Sequence, residues 1–469
     1  MFRRGLSAVC LCLVLVSLIS CSGGTSQPPG NMPPPGPNTS PVSLTIRDTP
    51  PAGVTILSFE VTITSATLQP GNIALVSSPI RIEIRRLEVE AAVLGTLNVP
   101  NGTYTGITVT FSNPELTILN NSGASVAGCP DGGVCELRPP IPNATITYTG
   151  APFPISVPLA TGTSLQIDFD LLNSIPSSLG SIIPVFTVST IVAPPGTTVL
   201  EEIEDLAGRI TAVNAAASEF TLQTAILNMP LVIRTDASTS FEDFAGLGCA
   251  TSNFACLAVG QLVEVDLRLQ LGGMLLATKV EAEDNDNELE VEGIVTRINS
   301  PTQFEMALID DPLNAPIVDI GQLVVVNLLP GVSFRIDDDN FPVNSADFDA
   351  ASDLLVGQAV EVEIKSTPAG TPPSFDTDRV KLKDSRFTAT IQSVDAANNR
   401  FTMNALPAIF TAQVPAVTQI DVLVSTGTEF SGTATNFASL AAGNTVSIRG
   451  LLFRTAGNPF VVGKKVRRR

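Results

Sequence analysis

Two stretches of the chain repeat each other closely: residues 259–265 read Val-Gly-Gln-Leu-Val-Glu-Val, and residues 356–362 read Val-Gly-Gln-Ala-Val-Glu-Val. A more diverged copy, Ala-Gly-Asn-Thr-Val-Ser-Ile, occupies residues 442–448. In each copy a glycine turn precedes apolar residues that alternate with polar ones, as along a half-buried β-strand. The pattern predicts three small β-domains built on a common plan.

Further landmarks flank this strand in the same order in every copy. The opening strands begin at Gly208, Gly293 and Thr388, and the closing strands cover residues 277–281, 377–381 and 463–467. About five strands per copy favour a small closed barrel of the OB-like kind, although a sandwich could carry the same pattern. We therefore place β-barrel domains at residues 206–284, 289–384 and 385–469.

The segment before the repeats also carries strand patterns. Residues 58–68 alternate apolar and polar side chains, and Asn, Gly and Pro separate the strands that follow. Val, Ile and Thr are plentiful, whereas the helix formers Lys and Glu are sparse. The sequence predicts an all-β protein in which a β-sandwich at residues 43–193 is followed by three OB-like β-barrels in tandem.

Two family resemblances accompany these patterns. Residues 43–51, 59–63, 100–104 and 165–170 resemble an uncharacterised domain found at the head of many bacterial lipoproteins. The three later domains resemble an uncharacterised repeat domain common in exported bacterial proteins. Neither resemblance implies a chemical activity.

The first residues predict export and lipid attachment. Residues 1–20 combine a basic start with an apolar run too short for a membrane span, as in a signal peptide. Residues 18–21 (Leu-Ile-Ser-Cys) resemble the bacterial lipobox, which implies cleavage before Cys21 and lipidation of its sulfur. Residues 21–42 are rich in Pro, Gly and Ser, a composition typical of an extended tether. The alternative is a plain secretory signal with an incidental cysteine.

These features predict where the protein resides. We expect an exported protein that is anchored to the cell envelope by its lipid. Ser22 after the cysteine resembles outer-membrane sorting, so the folded part would face the periplasm or the cell surface.

Four of the seven cysteines remain after the signal peptide and Cys21 are set aside. They form two close pairs in glycine-containing loops: Cys129 with Cys135, and Cys249 with Cys256. In an oxidising compartment this arrangement predicts two loop disulfides. A thiol redox site and a four-cysteine metal site are the alternatives, but neither pair has the Cys-x-x-Cys spacing.

Composition excludes several kinds of function. The chain has no histidine, so it lacks a Ser–His or Cys–His nucleophile pair and a His-ligated zinc or haem. Its net charge of −19 opposes binding to nucleic acid, which depends on Lys and Arg neutralising phosphates. We predict no catalytic residues and no nucleic-acid partner.

Clustered carboxylates are the remaining chemical candidates. A Ca²⁺ site needs six to eight converging oxygens, and one acidic region offers several. Its members are Asp337, Asp338, Asp339, Asp347 and Asp349. A structural Ca²⁺ site is one hypothesis for this region, and a polar loop is the other. We predict no other cofactor.

Two smaller features have both a functional and a structural interpretation. Asp168 and Asp170 share one face of a predicted strand at a spacing that a glycosidase pair could use, or they simply face water. The basic tail at residues 464–469 either contacts envelope polymers or forms the charged end of the last strand.

Taken together, the sequence favours a non-enzymatic lipoprotein of the cell envelope that acts as a binding or scaffold module. Its partners would be the membrane, through the lipid anchor, and an envelope glycan or protein. The alternative is a surface lipoprotein that binds or processes carbohydrate.

Overall fold

The computed structural model describes most of the chain after residue 37. The described residues are 38–49, 55–159, 162–193, 196–224, 230–283, 289–310, 318–338 and 341–469. The predicted signal peptide, Cys21, the tether up to residue 37 and Asp339 lie outside the described residues. Strands make up most of the described chain, and its two α-helices, α1 (Leu171–Ser174) and α2 (Ala408–Thr411), are single turns. The predicted all-β fold is confirmed.

The first unit is a β-sandwich. Its strands are β1 (Thr39–Thr49), β2 (Thr55–Gln69), β3 (Ile73–Ala74), β4 (Ile80–Glu83), β5 (Ala92–Pro100), β6 (Gly102–Tyr104), β7 (Gly106–Leu119), β8 (Val134–Leu137), β9 (Thr145–Tyr148), β10 (Ile155–Val157), β11 (Thr163–Asp170) and β12 (Phe186–Thr190). One sheet has the order β12-β11-β1-β5, and the other pairs β2 and β7 with β3, β4, β8 and β9. The rings of Phe59 and Phe111 both pack on Phe169, at centroid distances of 5.9 and 5.6 Å.

The strand over residues 58–68 departs from its prediction at one end. The alternating pattern predicts a half-buried strand, yet the polar residues Ser58, Glu60 and Thr62 are also buried. A neighbouring domain covers this face, because Leu57 belongs to the same apolar cluster as Phe304. Local periodicity cannot reveal such a contact, since the covering residues lie far away in sequence.

Three β-barrels follow, here called barrels A, B and C. Barrel A contains β13 (Val199–Asn214), β14 (Glu219–Gln223), β15 (Leu231–Arg234), β16 (Ser240–Glu242), β17 (Leu262–Gln270) and β18 (Leu275–Ala282). Barrel B contains β19 (Leu289–Ser300), β20 (Gln303–Asp310), β21 (Leu323–Ile336), β22 (Ala359–Ile364), β23 (Ala369–Gly370) and the first part of β24 (Pro373–Asp395). Barrel C contains the last part of β24, β25 (Arg400–Asn404), β26 (Ile420–Gly432), β27 (Thr445–Phe453) and β28 (Phe460–Arg468).

All three barrels close in the same way. The opening strand pairs antiparallel with the next strand and with the glycine-turn strand, for example β24 with β25 and with β27. The closing strand then pairs in parallel with the third strand, as β18 does with β15, β24 with β21 and β28 with β26. Closure removes the exposed edges that an open sheet would leave. This strand pairing shows that the three repeats are closed barrels and not sandwiches.

Aromatic residues at the repeat landmarks form the barrel cores. Phe220, Phe304 and Phe401 are each at most 1% exposed. They occupy equivalent second strands, whose inward positions alternate with polar ones. These rings are packed inside and are not available to stack on a sugar or a base.

Candidate functional site

Both predicted disulfides are present. Cys129 is bonded to Cys135 and Cys249 to Cys256, with 5.8 Å between the Cα atoms in each pair. Each bridge closes a short loop within one unit. The cysteines are therefore structural staples, as the spacing predicted.

The acidic region after β21 does not assemble as a Ca²⁺ site would. Asp337 faces Lys381 at 3.4 Å and also pairs with Lys383. Asp338 and Asp349 are exposed, and Asp347 lies in a short 3₁₀ helix (Ser345–Asp347). The described carboxylates of this region thus point to different surroundings, and the geometry favours the polar-loop interpretation.

Asp168 and Asp170 likewise have separate partners. Arg47 contacts the Asp168 carboxylate at 2.9 Å. Asp170 caps α1 and accepts hydrogen bonds from the backbone and side-chain nitrogens of Asn173 at 3.0 and 2.6 Å. The two carboxylates thus have different partners, which favours a structural role for each over the glycosidase interpretation.

The basic tail lies inside the molecule. It forms most of β28, and Lys464, Lys465 and Arg467 are each at most 8% exposed. Lys464 pairs with Asp384 at 3.1 Å, and Arg467 donates to the backbone oxygen of Glu88 at 3.3 Å. The tail joins barrel C to the sandwich and to its neighbouring barrels.

The tail belongs to a larger buried cluster of charges between the four units, here called the ionic junction. It is built from outward-facing residues on strands whose alternate residues fill a barrel core. The cations on barrel C are Arg386, Arg449, Lys464 and Lys465, and Lys383 on β24 lies toward barrel B. Their side chains are 5–7% exposed, so water screens them little.

Asp205 is the carboxylate at the centre of the ionic junction. Its oxygens lie 2.5 Å from Arg386, 2.8 Å from Arg449 and 4.0 Å from Arg86 of the sandwich. Burial alone would raise its pKa, but Arg386, Lys383 and Arg86 outweigh burial and lower the pKa to about 2. Asp205 is therefore ionised throughout the ordinary pH range and ties together three of the four units.

The backbone places Asp205 by means of an irregularity in β13. The pairing register with β17 shifts between Ile203 and Leu206, as at a β-bulge. Asp205 itself has a φ of 56°, in the left-handed region that few residues other than glycine, Asn and Asp adopt. The bulge turns this side chain away from the barrel and toward the junction.

A 3₁₀ helix of the sandwich (Ile84–Glu88) inserts into the junction. Arg86 pairs with Asp310 of barrel B, and Thr388 of barrel C donates to the Glu88 carboxylate at 2.9 Å. Just after this helix, Glu90 lies 3.5 Å from Arg386 and 3.3 Å from Arg449. These contacts bring the sandwich and all three barrels into one charged network.

One group of carboxylates at the edge of the junction has the spacing of a metal site. Oxygens of Glu202, Glu204 and Glu429 lie within 4.8 Å of one another. Lys465 sits among them, at 3.7, 3.3 and 3.6 Å respectively. Burial and the adjacent Glu202 raise the pKa of Glu429 to about 6. The lysine ammonium supplies the positive charge that a metal ion would otherwise bring.

An apolar pocket opens where the sandwich, barrel A and barrel B meet, and we call it the junction pocket. Its volume is about 110 Å³. Ile82 and Leu87 of the sandwich, Ile203 and Leu267 of barrel A, and Ile309 of barrel B form part of its wall. Charged groups of the ionic junction complete the lining.

A larger open groove runs between barrels B and C beside the Cys129–Cys135 loop. Its volume is about 1040 Å³. Polar side chains line much of it, namely Arg297, Glu305, Gln413, Gln419, Arg454 and Asn458. The described lining contains no aromatic ring.

Sequence reasoning missed the ionic junction and the junction pocket. One signal was present: the closing strands carry Lys279, Arg379 and Lys465 directly before the apolar residue that enters each core. Cations recurring at one landmark of a repeat indicate a shared outward environment. That this environment is a dry interface between domains follows only from the packing.

Comparisons with known proteins identify one domain. Residues 207–281 match the model of a domain of unknown function, DUF5666, and this segment corresponds to most of barrel A. No curated protein matches the chain. Within the described residues, the structure contains no helix that combines the length and the hydropathy that a membrane crossing requires.

Proposed function

We propose that the protein is a non-enzymatic lipoprotein of the cell envelope that acts as a binding or scaffold module. The ionic junction carries this proposal. Its buried charges pair with one another and hold four domains together, whereas a catalytic site would aim such groups at a substrate. The pairs of Asp205 with Arg386 and Arg449 are the central example.

We further propose that barrels B and C are copies of the domain matched in barrel A. The shared strand order and the recurring landmarks at residues 259–265, 356–362 and 442–448 support this. Tandem copies packed around one junction would give a wide outer surface for partners.

The envelope location rests on the lipobox resemblance around Cys21, and the two disulfides fit an oxidising compartment. Cell fractionation with metabolic fatty-acid labelling tests it. The wild-type protein should carry label and sediment with membranes, and Cys21→Ser should abolish both. Ser22→Ala, the adjacent control, should remain labelled. An unlabelled wild-type protein would contradict the lipid anchor.

The scaffold role is tested with purified residues 22–469. We expect no steady turnover of chromogenic glycosides, esters or phosphoesters, and we expect envelope proteins to copurify with the intact chain. Turnover that Asp168→Asn or Asp170→Asn abolishes would overturn the proposal. If the purified protein shows no turnover and no envelope protein copurifies with it, the scaffold proposal is also contradicted.

The open groove favours carbohydrate binding as a second candidate function. Amide and guanidinium groups such as those of Gln413, Gln419 and Arg454 form hydrogen bonds with hydroxyls readily. On an array of cell-wall and capsular glycans, Gln413→Ala with Gln419→Ala should lose any signal that the wild type gives. Asn214→Ala, at an exposed position of barrel A, is the control. A signal that survives the double change would place glycan binding elsewhere.

A further inference from the structure

Most of the residues that line the junction pocket are aliphatic. Three domains contribute them, and the principal apolar side chains are Ile80, Ile82, Leu87, Val93, Ile203 and Leu267. Apolar surface that neither a side chain nor a ligand covers forfeits dispersion contacts and hydrophobic stabilisation. The pocket therefore favours an apolar occupant over water.

The size of the pocket limits the occupant. A site for one water takes roughly 10–15 Å³ by this kind of measure. The volume of about 110 Å³ thus accommodates a molecule of roughly eight non-hydrogen atoms. A single short aliphatic chain fits this space, whereas a phospholipid or an oligosaccharide does not.

The ionisable part of the pocket lining is acidic. Its ionisable lining consists of the single cation Arg86 and the carboxylates Glu83, Glu90, Glu204, Asp205 and Asp310. Arg86 already pairs with Asp310. Arg386, Arg449 and Lys465 pair with some of these carboxylates but do not themselves line the pocket. The lining therefore presents mainly acceptors to an occupant.

Glu90 offers one such acceptor. Its side chain is 6% exposed. The contacts from Arg386 and Arg449 both reach its Oε1 atom, at 3.5 and 3.3 Å. Among the described residues, no hydrogen bond reaches Oε2. This oxygen can accept a hydrogen bond from a donor group on an occupant.

We infer that the junction pocket binds a small amphiphile with an aliphatic body of about six to eight carbons and a protonated amine. The aliphatic residues of the lining contact the chain, and the ammonium group donates to Glu90 Oε2. This binding does not depend on the scaffold role, because the pocket lies between three domains and not on the outer face of a barrel.

Isothermal titration calorimetry of residues 22–469 tests this with octylammonium, octan-1-ol and octanoate. Octylammonium should bind with a dissociation constant below about 1 mM, and hexylammonium roughly tenfold more weakly because two methylenes are lost. Octanoate should bind at least tenfold more weakly than octylammonium. Equal binding of octanol and octylammonium, tighter binding of octanoate, or no binding at all would each overturn the proposal.

Two variants locate the binding site. Glu90→Gln should reduce the preference for octylammonium over octanol about tenfold. Glu90 also contacts Arg386 and Arg449, so a second variant that leaves these contacts unchanged is needed. Ala207→Phe should fill the pocket and abolish binding. Ala217→Phe, at an exposed turn of barrel A, is the control for an added ring. Unchanged binding in a folded Ala207→Phe protein would show that the amphiphile binds elsewhere.

Discussion

The two faces of the barrel C strands are both buried, yet they differ completely in chemistry. Phe387, Ile448 and Val466 enter the barrel core, whereas their neighbours Arg386, Arg449 and Lys465 enter the ionic junction. The core face follows from hydrophobic periodicity within one domain. The same periodicity would predict that the residues of the junction face are exposed to solvent. The difference shows that a polar strand face can be an interface between domains.

The two faces also contribute differently to stability. Burying a large apolar side chain contributes about 1.5–3 kcal/mol. A buried ion pair is close to neutral against an apolar replacement, but removing one partner costs about 3–5 kcal/mol because the other charge remains buried. The core therefore supplies most of the stability of each barrel. We expect the junction to fix how the domains are arranged.

Removing the central charge should produce the largest effect. Asp205→Asn keeps a residue that tolerates the left-handed backbone but removes the central carboxylate that Arg386 and Arg449 share. We expect a loss of about 3–5 kcal/mol in the free energy of unfolding, measured by urea denaturation. Asp243→Asn, at an exposed position that also has positive φ, should change it little. If Asp205→Asn lowered the free energy of unfolding as little as Asp243→Asn, the ionic junction would not contribute to stability.

The pH dependence of stability should come next in size. Burial raises the pKa of Glu83 to about 7, above its ordinary value of 4.5. Between pH 4.5 and about 7, Glu83 is therefore protonated in the folded protein and ionised in the unfolded chain. Stability from this group is present below about pH 4.5 and is lost as the pH rises through about 7. The expected loss is roughly 3 kcal/mol.

Glu83→Gln should reduce this loss, as measured by urea titrations between pH 4.5 and 8. Asp319→Asn removes an exposed carboxylate and should leave the slope as it is in the wild type. Glu283 and Glu429 also have raised pKa values. The stability of the Glu83→Gln variant therefore still changes with pH, but less steeply than that of the wild type. An identical slope in Glu83→Gln would refute the assignment to Glu83.

Replacing a junction cation should convert one edge of the junction into a metal site. Lys465→Gln leaves Glu202, Glu204 and Glu429 close together without their ammonium group. With a dissociation constant near 1 mM, 10 mM Ca²⁺ would stabilise this variant by about 1.4 kcal/mol. Thermal unfolding should show the gain in Lys465→Gln but not in the wild type or in Lys464→Gln. A gain in all three proteins would place the ion elsewhere.

The smallest effect should come from an exposed ion pair. Arg138 contacts Glu115 at 3.1 Å, and 68% of its side chain is exposed. Arg138→Ala should lower the free energy of unfolding by less than about 1 kcal/mol, and high salt should reduce the difference further. A loss as large as that of Asp205→Asn would remove the distinction between junction and surface charges.

Much of the fold could be predicted from sequence because it depends on local patterns. Glycine turns, alternating strands and recurring landmarks indicated closed barrels, and cysteine spacing gave both disulfides. The acidic region at Asp337 misled in part, because adjacent carboxylates suggest a common ligand when read along the chain. In the structure Asp337 instead pairs with Lys381 and Lys383 on a strand distant in sequence.

The sequence by itself determined the all-β fold, the barrel cores and the disulfides, since each depends on alternation or spacing within a short stretch. Only the tertiary structure decided that Arg386, Arg449 and Lys465 face other domains and that a pocket remains between three of them. The physical reason is that period-2 patterning tells which residues leave a barrel core. What those residues meet is fixed by surfaces that come together only when the domains pack.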